Sequence, residues 1–262
     1  MDGIKHNYPN PFPRNWTTIG LTVLFVLYVI YSVEAMGLSW PRFTEGLSHA
    51  GDLLARMVPP NFTRWSLLLE GLIESIEIAV ISSSIGIFLS LFIGLLAARN
   101  FMPVFVSSSV RVFIALCRSF HPVIIAILFV KSVGFGPLAG ILTLITASIG
   151  FIAKLFAEAI EEISLKQVEA IRATGASFSS IILFSVLPQV FSRFIGFATY
   201  QFDSNLRNST MIGIVGAGGL GGTLFSAFQR FDYDFVAAIL ITTIFVILVW
   251  EFISILVRRI FI

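Results

Sequence analysis

Apolar runs with few charges, long enough to cross a lipid hydrocarbon core, recur along the whole chain, and nothing else in the sequence constrains the fold so strongly. A core of ~30 Å takes roughly 20 helical residues, and such runs are placed at about 16–35, 74–98, 109–131, 137–159, 186–208 and 235–257. With 56% hydrophobic residues, 12% charged residues and a mean hydropathy of +0.93, no stretch is left over for a soluble domain of ordinary size. The expected class is an all-α membrane protein of about six transmembrane helices, with residues 1–15 as a cytoplasmic tail and 16–262 as one membrane domain. The first run ends Tyr31-Ser32-Val33-Glu34-Ala35-Met36, without the small residues of a cleavage site, and is read as a retained span.

An even number of crossings puts both termini on one side. Lys5, Arg14, Arg99, Arg111, Lys166, Arg172, Arg258 and Arg259 fall there, against Arg42, Arg56, Arg64, Lys131, Arg207 and Arg230 opposite, so both termini are expected in the cytoplasm. A net charge of +2 with scattered basic residues gives no footprint for nucleic acid. Cys117 stands alone, and His6, His49 and His121 are too far apart to form a local ligand set, so neither a metal site nor a catalytic cluster is expected.

Small residues mark where helices approach closely. Ser82, Gly86, Ser90, Gly94 and Ala98 recur every four residues and line one helical face, and Gly136 and Gly140 open another such stripe. In the outer loop, about 36–73, Phe43, Leu47, Ala50, Leu54 and Met57 fit a short amphipathic helix on the membrane surface or a loop packed on its own protein. Between about 211 and 223, six glycines within Gly213–Gly222 argue against a continuous helix and for a re-entrant or cavity-lining loop at the outer mouth. Its Gly216-Ala-Gly218-Gly219-Leu-Gly221 matches a dinucleotide fingerprint only formally, because the chain has no strand-helix-strand context. No phosphate-cradling G-x-x-x-x-G-K-[ST] occurs, so any ATP that drives this chain is hydrolysed on another polypeptide.

The segment from Glu158 to Pro188 interrupts the apolar pattern. Glu158, Glu161, Glu162, Lys166, Glu169 and Arg172 follow one another at steps that keep them near one helical face, with Glu162 and Lys166 spaced as an i,i+4 pair and Glu169 and Arg172 as an i,i+3 pair. Gly175 offers a helix stop, and Leu187-Pro188 is expected to mark where the chain turns back into the bilayer. Charge spacing alone fits a docking surface or a solvated loop helix equally.

Glu169-Ala170-Ile171-Arg172-Ala173-Thr174-Gly175, followed by Leu187-Pro188, resembles the E-A-A-x-x-x-G … I-x-L-P signature of permease subunits of binding-protein-dependent ABC importers. Glu169, Ala170, Gly175, Leu187 and Pro188 match, while Ile171 replaces the second alanine and Ser185 stands where the pattern has isoleucine. The chain is closer still to the phosphonate permease subfamily through Ile171 to Ala176, Val186 to Val190, Tyr200 to Arg207 and Val215 to Gly221. The resemblance implies the type I importer permease fold in the bacterial cytoplasmic (inner) membrane, working as a homodimer with two ATPase subunits and an extracytoplasmic substrate-binding protein. It makes the loop at about 160–185 a cytoplasmic coupling helix, leaves ATP and magnesium to the ATPase, and gives this chain no cofactor or catalytic residue. The implied cargo is phosphonate or a related phosphorus oxyanion.

Ionisable residues inside spans are costly and therefore site candidates. Asp203 and Arg207, one turn apart, either pair with each other or present a guanidinium fork to an oxyanion, with Tyr200, Asn205 and Asn208 as nearby donors. Arg118 precedes His121 by three residues in a span that Pro122 should kink, and it lines the pathway or reaches a carbonyl or a carboxylate such as Glu77. Gly216, Gly218, Gly219 and Gly221 are expected at the outer gate. Two other classes compete with this reading. An ion- or proton-coupled secondary transporter of a small anion would need midplane carboxylates, for which only Glu77 and Asp203 serve, and inverted repeats, which are not visible. A membrane-embedded enzyme would need a nucleophile with a base, and the histidines supply none.

Overall fold

The computed structural model describes residues 16–37 and 39–261, so the expected tail at 1–15 lies outside the described residues. Two compact units divide between Arg56 and Met57. The first holds α1 (Trp16–Ala35) and α2 (Trp40–Arg56). Helix α1 has 20 residues and buries none of them, and its apolar side chains project all round. Such a surface suits lipid, and its length of about 30 Å matches a hydrocarbon core. Helix α2 starts with Pro41 in its first turn, where a missing N–H costs nothing. Met57, expected on its stripe, lies beyond the helix and packs in the second unit beside Leu68 and Leu220.

The second unit runs through α3 (Trp65–Ala97), α4 (Val104–Ser119), α5 (Pro122–Val133), α6 (Pro137–Glu161), α7 (Leu165–Ala173) and α8 (Phe178–Ile181). A π-helical turn (Ile182–Val186) follows, then α9 (Leu187–Gly213), α10 (Leu220–Gln229) and α11 (Tyr233–Phe261). Among the described residues five helical segments are long and apolar enough to cross a membrane, or six if α4 and α5 count as one broken span. Helix α3 begins at Trp65, ahead of the expected 74, because Glu70 interrupts the apolar run without interrupting the helix.

The α3–α6 pair is the centre of this unit, and the predicted small-residue stripe makes it. Ser82, Gly86, Ser90 and Gly94 are all buried. A Cβ added at Gly86 would sit 2.5 Å from Ser148 Cβ, and one at Gly94 only 3.0 Å from the Ala153 carbonyl oxygen, so only glycine allows this approach. In lipid, where apolar surface gains nothing by leaving water, such dense van der Waals contact is the main attraction between helices. Apolar clusters extend the contact outward. Ile78, Ala126, Leu144, Ile212 and Ala217 join α3, α5, α6, α9 and the glycine-rich turn, while Phe156, Ile160, Val186 and Val190 tie α6 to the start of α9.

The predicted third span is not one kinked helix. Helices α4 and α5 meet at 90°. Phe120 and His121 are extended between them, as the residue before a proline prefers, and His121 Nδ1 accepts the Val123 N–H at 3.3 Å as the cap of α5. Arg118 and His121 therefore do not share a helical face. Leu187-Pro188 likewise does not mark a turn. The chain reverses around Gly175 to Ser177, and helix continues from Phe178 to Gly213 through the π turn, where Leu187 N–H donates to the Ile182 carbonyl. The wider turn gives the Pro188 ring room against the preceding carbonyls, so the proline is accommodated without a stop.

Candidate functional site

Polar groups collect at the two ends of the second unit. At one end Asn61 Nδ2 donates to Asp234 at 2.9 Å, and Arg64 pairs with Asp232 at 2.8 Å, clasping the starts of α3 and α11. At the other end Glu161 accepts from the Arg99 backbone N–H at 2.7 Å and from Arg111 at 2.8 Å, while Arg111 Nε donates to the Ala97 carbonyl at 3.0 Å. One carboxylate thus ties the end of α3 to α4 and α6.

Helix α7 lies at this second end. The expected run of charges along one helix is broken, because α6 stops at Glu161 and α7 starts only at Leu165. Glu162 therefore pairs with Arg193 of α9 at 2.6 Å, not with Lys166, and Glu169 and Arg172 stand exposed without an ion pair among the described residues. The connection is fixed by Gln189, whose Oε1 accepts the Ser164 N–H at 2.9 Å and whose Nε2 donates to the Ser185 carbonyl at 2.9 Å. Val168 is buried, whereas Leu165, Lys166, Glu169, Ala170 and Arg172 are exposed. Gly175 has φ +77°, a left-handed value that ends the helix as its sequence position suggested. Leu187 and Pro188 belong to the first turn of α9, where Leu187 is half-buried and Pro188 exposed.

The glycine-rich segment is a tight reversal between α9 and α10, with irregular backbone only at 214–219. Gly216, Gly218 and Gly219 take positive φ, and Gly221 lies in the first turn of α10, packed so closely on the Thr210 carbonyl that no side chain fits. Protein groups satisfy exposed backbone here, since the Gly216 carbonyl accepts the Gly136 N–H at 3.0 Å and Ser75 Oγ accepts the Leu220 N–H at 2.8 Å. A cavity of about 370 Å³ opens beside the turn, lined by Glu74, Phe135, Arg230 and the glycines.

Helix α9 separates the remaining candidates. Asp203 and Arg207 form an ion pair at 2.6 Å, with Arg207 43% exposed, and Tyr200, Met211 and Ile214 extend the same open face. Asn208 donates to Ser204 at 3.3 Å. Asn205 points the other way and is fully buried. Its Nδ2 donates to Ser83 Oγ at 2.9 Å and Ser148 Oγ at 3.0 Å, and its Oδ1 accepts from Gln201 at 2.9 Å, so it fastens α9 to α3 and α6 and offers no donor to a pathway. Arg118 stands apart from all of these on α4.

A family model described as binding-protein-dependent transport system inner membrane component matches residues 90–262. The chain belongs to this family. Among curated proteins, the permease is 38% identical over 245 residues to the phosphate-import permease protein PhnE of Mycolicibacterium smegmatis. That match takes in 91% of the permease but 45% of the relative, so the chain spans less than half the length of that protein. It is 36% identical over 228 residues to the phosphite transport system permease protein PtxC of Stutzerimonas stutzeri, with 86% and 83% of the two chains covered. Among solved structures, a chain of the MetNI methionine ABC transporter in an inward-facing conformation superposes with a TM-score of 0.68 at 23% identity, covering 77% of the permease and 99% of that chain. The fold is that of type I ABC importer permeases.

Two features of the permease were not anticipated. Helix α10 hides in the sequence because ten residues, mostly apolar or small, after a glycine run have no span-length signal. The Ser83–Ser148–Gln201–Asn205 network was missed because its partners come from three separate helices, although an amide pair spaced i,i+4 inside a span is a usable signal.

Proposed function

We propose that the permease carries phosphonate or a related phosphorus oxyanion inward, as a homodimer driven by two ATPase subunits and supplied by an extracytoplasmic binding protein. The observation that carries the coupling half is α7, a short helix anchored by Val168 and the Gln189 clamp with Glu169, Ala170 and Arg172 turned outward. That geometry supports docking into a soluble subunit on the cytoplasmic side, with ATP and magnesium bound there. The substrate half rests on relatives named for phosphate and phosphite, both tetrahedral phosphorus oxyanions. The open face of α9 supports a pathway at the homodimer axis. Arg207 gives part of its fork to Asp203 and keeps the rest for a passing anion, and Gly216, Gly218, Gly219 and Gly221 border the outer mouth.

Proteoliposomes holding the permease with its ATPase and binding protein test this directly. ATP-dependent uptake of phosphite or methylphosphonate is expected in preference to sulfate, and equal uptake of sulfate would overturn the substrate class. Glu169→Ala and Gly175→Val should each abolish uptake with insertion unchanged; full uptake in both would remove the coupling role of α7. Arg207→Gln should lower uptake while the ATPase still assembles, and wild-type rates would remove Arg207 from the pathway.

A further inference from the structure

A cavity of about 360 Å³ lies between α4 and α6 and is lined by Arg111, Ile114, Ala115, Arg118, Ser119 and Lys154, with Ala97 and Ala157 closing it. Three cations line it and no carboxylate does. Their states differ. Arg111 is occupied, its Nε on the Ala97 carbonyl and its Nη2 on Glu161. Lys154 stays 3.5 Å from Glu158, too loose to use its donors fully. Arg118 has no hydrogen-bond partner among the described residues.

The backbone is shaped to put Arg118 there. A Cβ at Gly150 would lie 2.7 Å from Arg118 Cγ and 3.2 Å from the Cys117 carbonyl carbon, so the glycine lets α4 press onto α6 and fixes the arginine stem. Lys154 follows Gly150 by one helical turn and joins the same cavity. Arg118 is seven residues beyond Arg111, about 10 Å further from the polar end that holds Glu161. Arg118 is exposed and unpaired, and an ionisable side chain inside an apolar span is normally kept for a function. Two cations with unspent donors, raised in potential by a third, suit a tetrahedral oxyanion that accepts bidentate hydrogen bonds.

We propose that this α4–α6 cavity binds a phosphoryl or phosphonyl oxyanion through Arg118 and Lys154. The chemistry is shared by a free phosphorus oxyanion and by the headgroup of an anionic phospholipid from the α7-side leaflet. The inference does not rest on the transport reading, since both arms of its test are measured without ATP or uptake.

The permease is reconstituted in phosphatidylcholine nanodiscs and titrated with inorganic phosphate and methylphosphonate, read by phosphorus NMR line broadening. In parallel, native mass spectrometry counts phosphatidylglycerol retained after extraction from mixed membranes. Arg118→Gln and Lys154→Gln are each expected to weaken retention roughly tenfold, the loss of one charge-assisted hydrogen bond, while Arg118→Lys restores part of it. Broadening that these variants abolish identifies a free oxyanion; lipid retention that they abolish, and that added phosphate does not displace, identifies a headgroup. If a variant melts early, Ala115→Phe fills the cavity from an exposed position and should remove the same signal. Absence of both signals, or either signal unchanged in Arg118→Gln or Ala115→Phe, overturns the proposal.

Discussion

Asn205 and Gly86 are single residues of this permease committed to holding helices together. Asn205→Ala removes the amide that joins Ser83, Ser148 and Gln201 and is expected to cost about 1 kcal/mol, typical of hydrogen bonds within a membrane bundle. Its melting midpoint in detergent should fall, whereas an equal loss of uptake without any fall in stability would return Asn205 to the pathway. Gly86→Ala forces a methyl against Ser148 and should cost about 1–3 kcal/mol by SDS-titrated unfolding. Gly51→Ala, with open space around it, should be neutral or slightly stabilising. The small-residue stripe could be read from sequence because its four-residue period is local. Asn205 could not, because an amide inside a span looks the same whether it faces a channel or a serine 122 residues away.

At the scale of elements, α7 is held by burial and backbone clamps more than by charge. Glu162 and Arg193 are 65% and 53% exposed, so their pair contributes at most about 1 kcal/mol and Glu162→Gln should scarcely alter stability. Val168→Asp places an unpartnered carboxylate where an apolar side chain is buried, which costs several kcal/mol unless the helix lifts away. Limited trypsin digestion should then cut at Arg172 at least several times faster than in the parent. An unchanged rate would mean that Val168 does not anchor α7. Gly175 was legible as a stop because the residue type itself permits the left-handed turn. The break at Glu162 to Ser164 and the π turn before Pro188 were not, since both depend on Gln189 and on neighbouring carbonyls that no local pattern encodes.

For the whole molecule, the long apolar helices were legible and their internal geometry was less so. The apolar runs gave the long helices, but the 90° break in the α4–α5 span and the short α10 arise from packing that hydropathy does not record. With Cys117 replaced by alanine, Lys166→Cys and Arg230→Cys should be labelled by membrane-impermeant maleimide from opposite faces of sealed vesicles. Labelling of both from one face would refute the placement of α7 and α10 at opposite ends. Helix α3 has 33 residues, about 50 Å of helix against a hydrocarbon slab of ~30 Å. An ordinary tilt of about 20° shortens its projection by only a few ångströms. Some turns of α3 must therefore stand clear of the acyl chains. Ser75, which holds the glycine-rich reversal, is ten residues in from Trp65, about 15 Å along that axis. If the surplus lies on that side and the reversal borders the proposed pathway, cargo would reach it at the depth of the lipid headgroups, still hydrated, and the desolvating part of its journey would begin only beyond it.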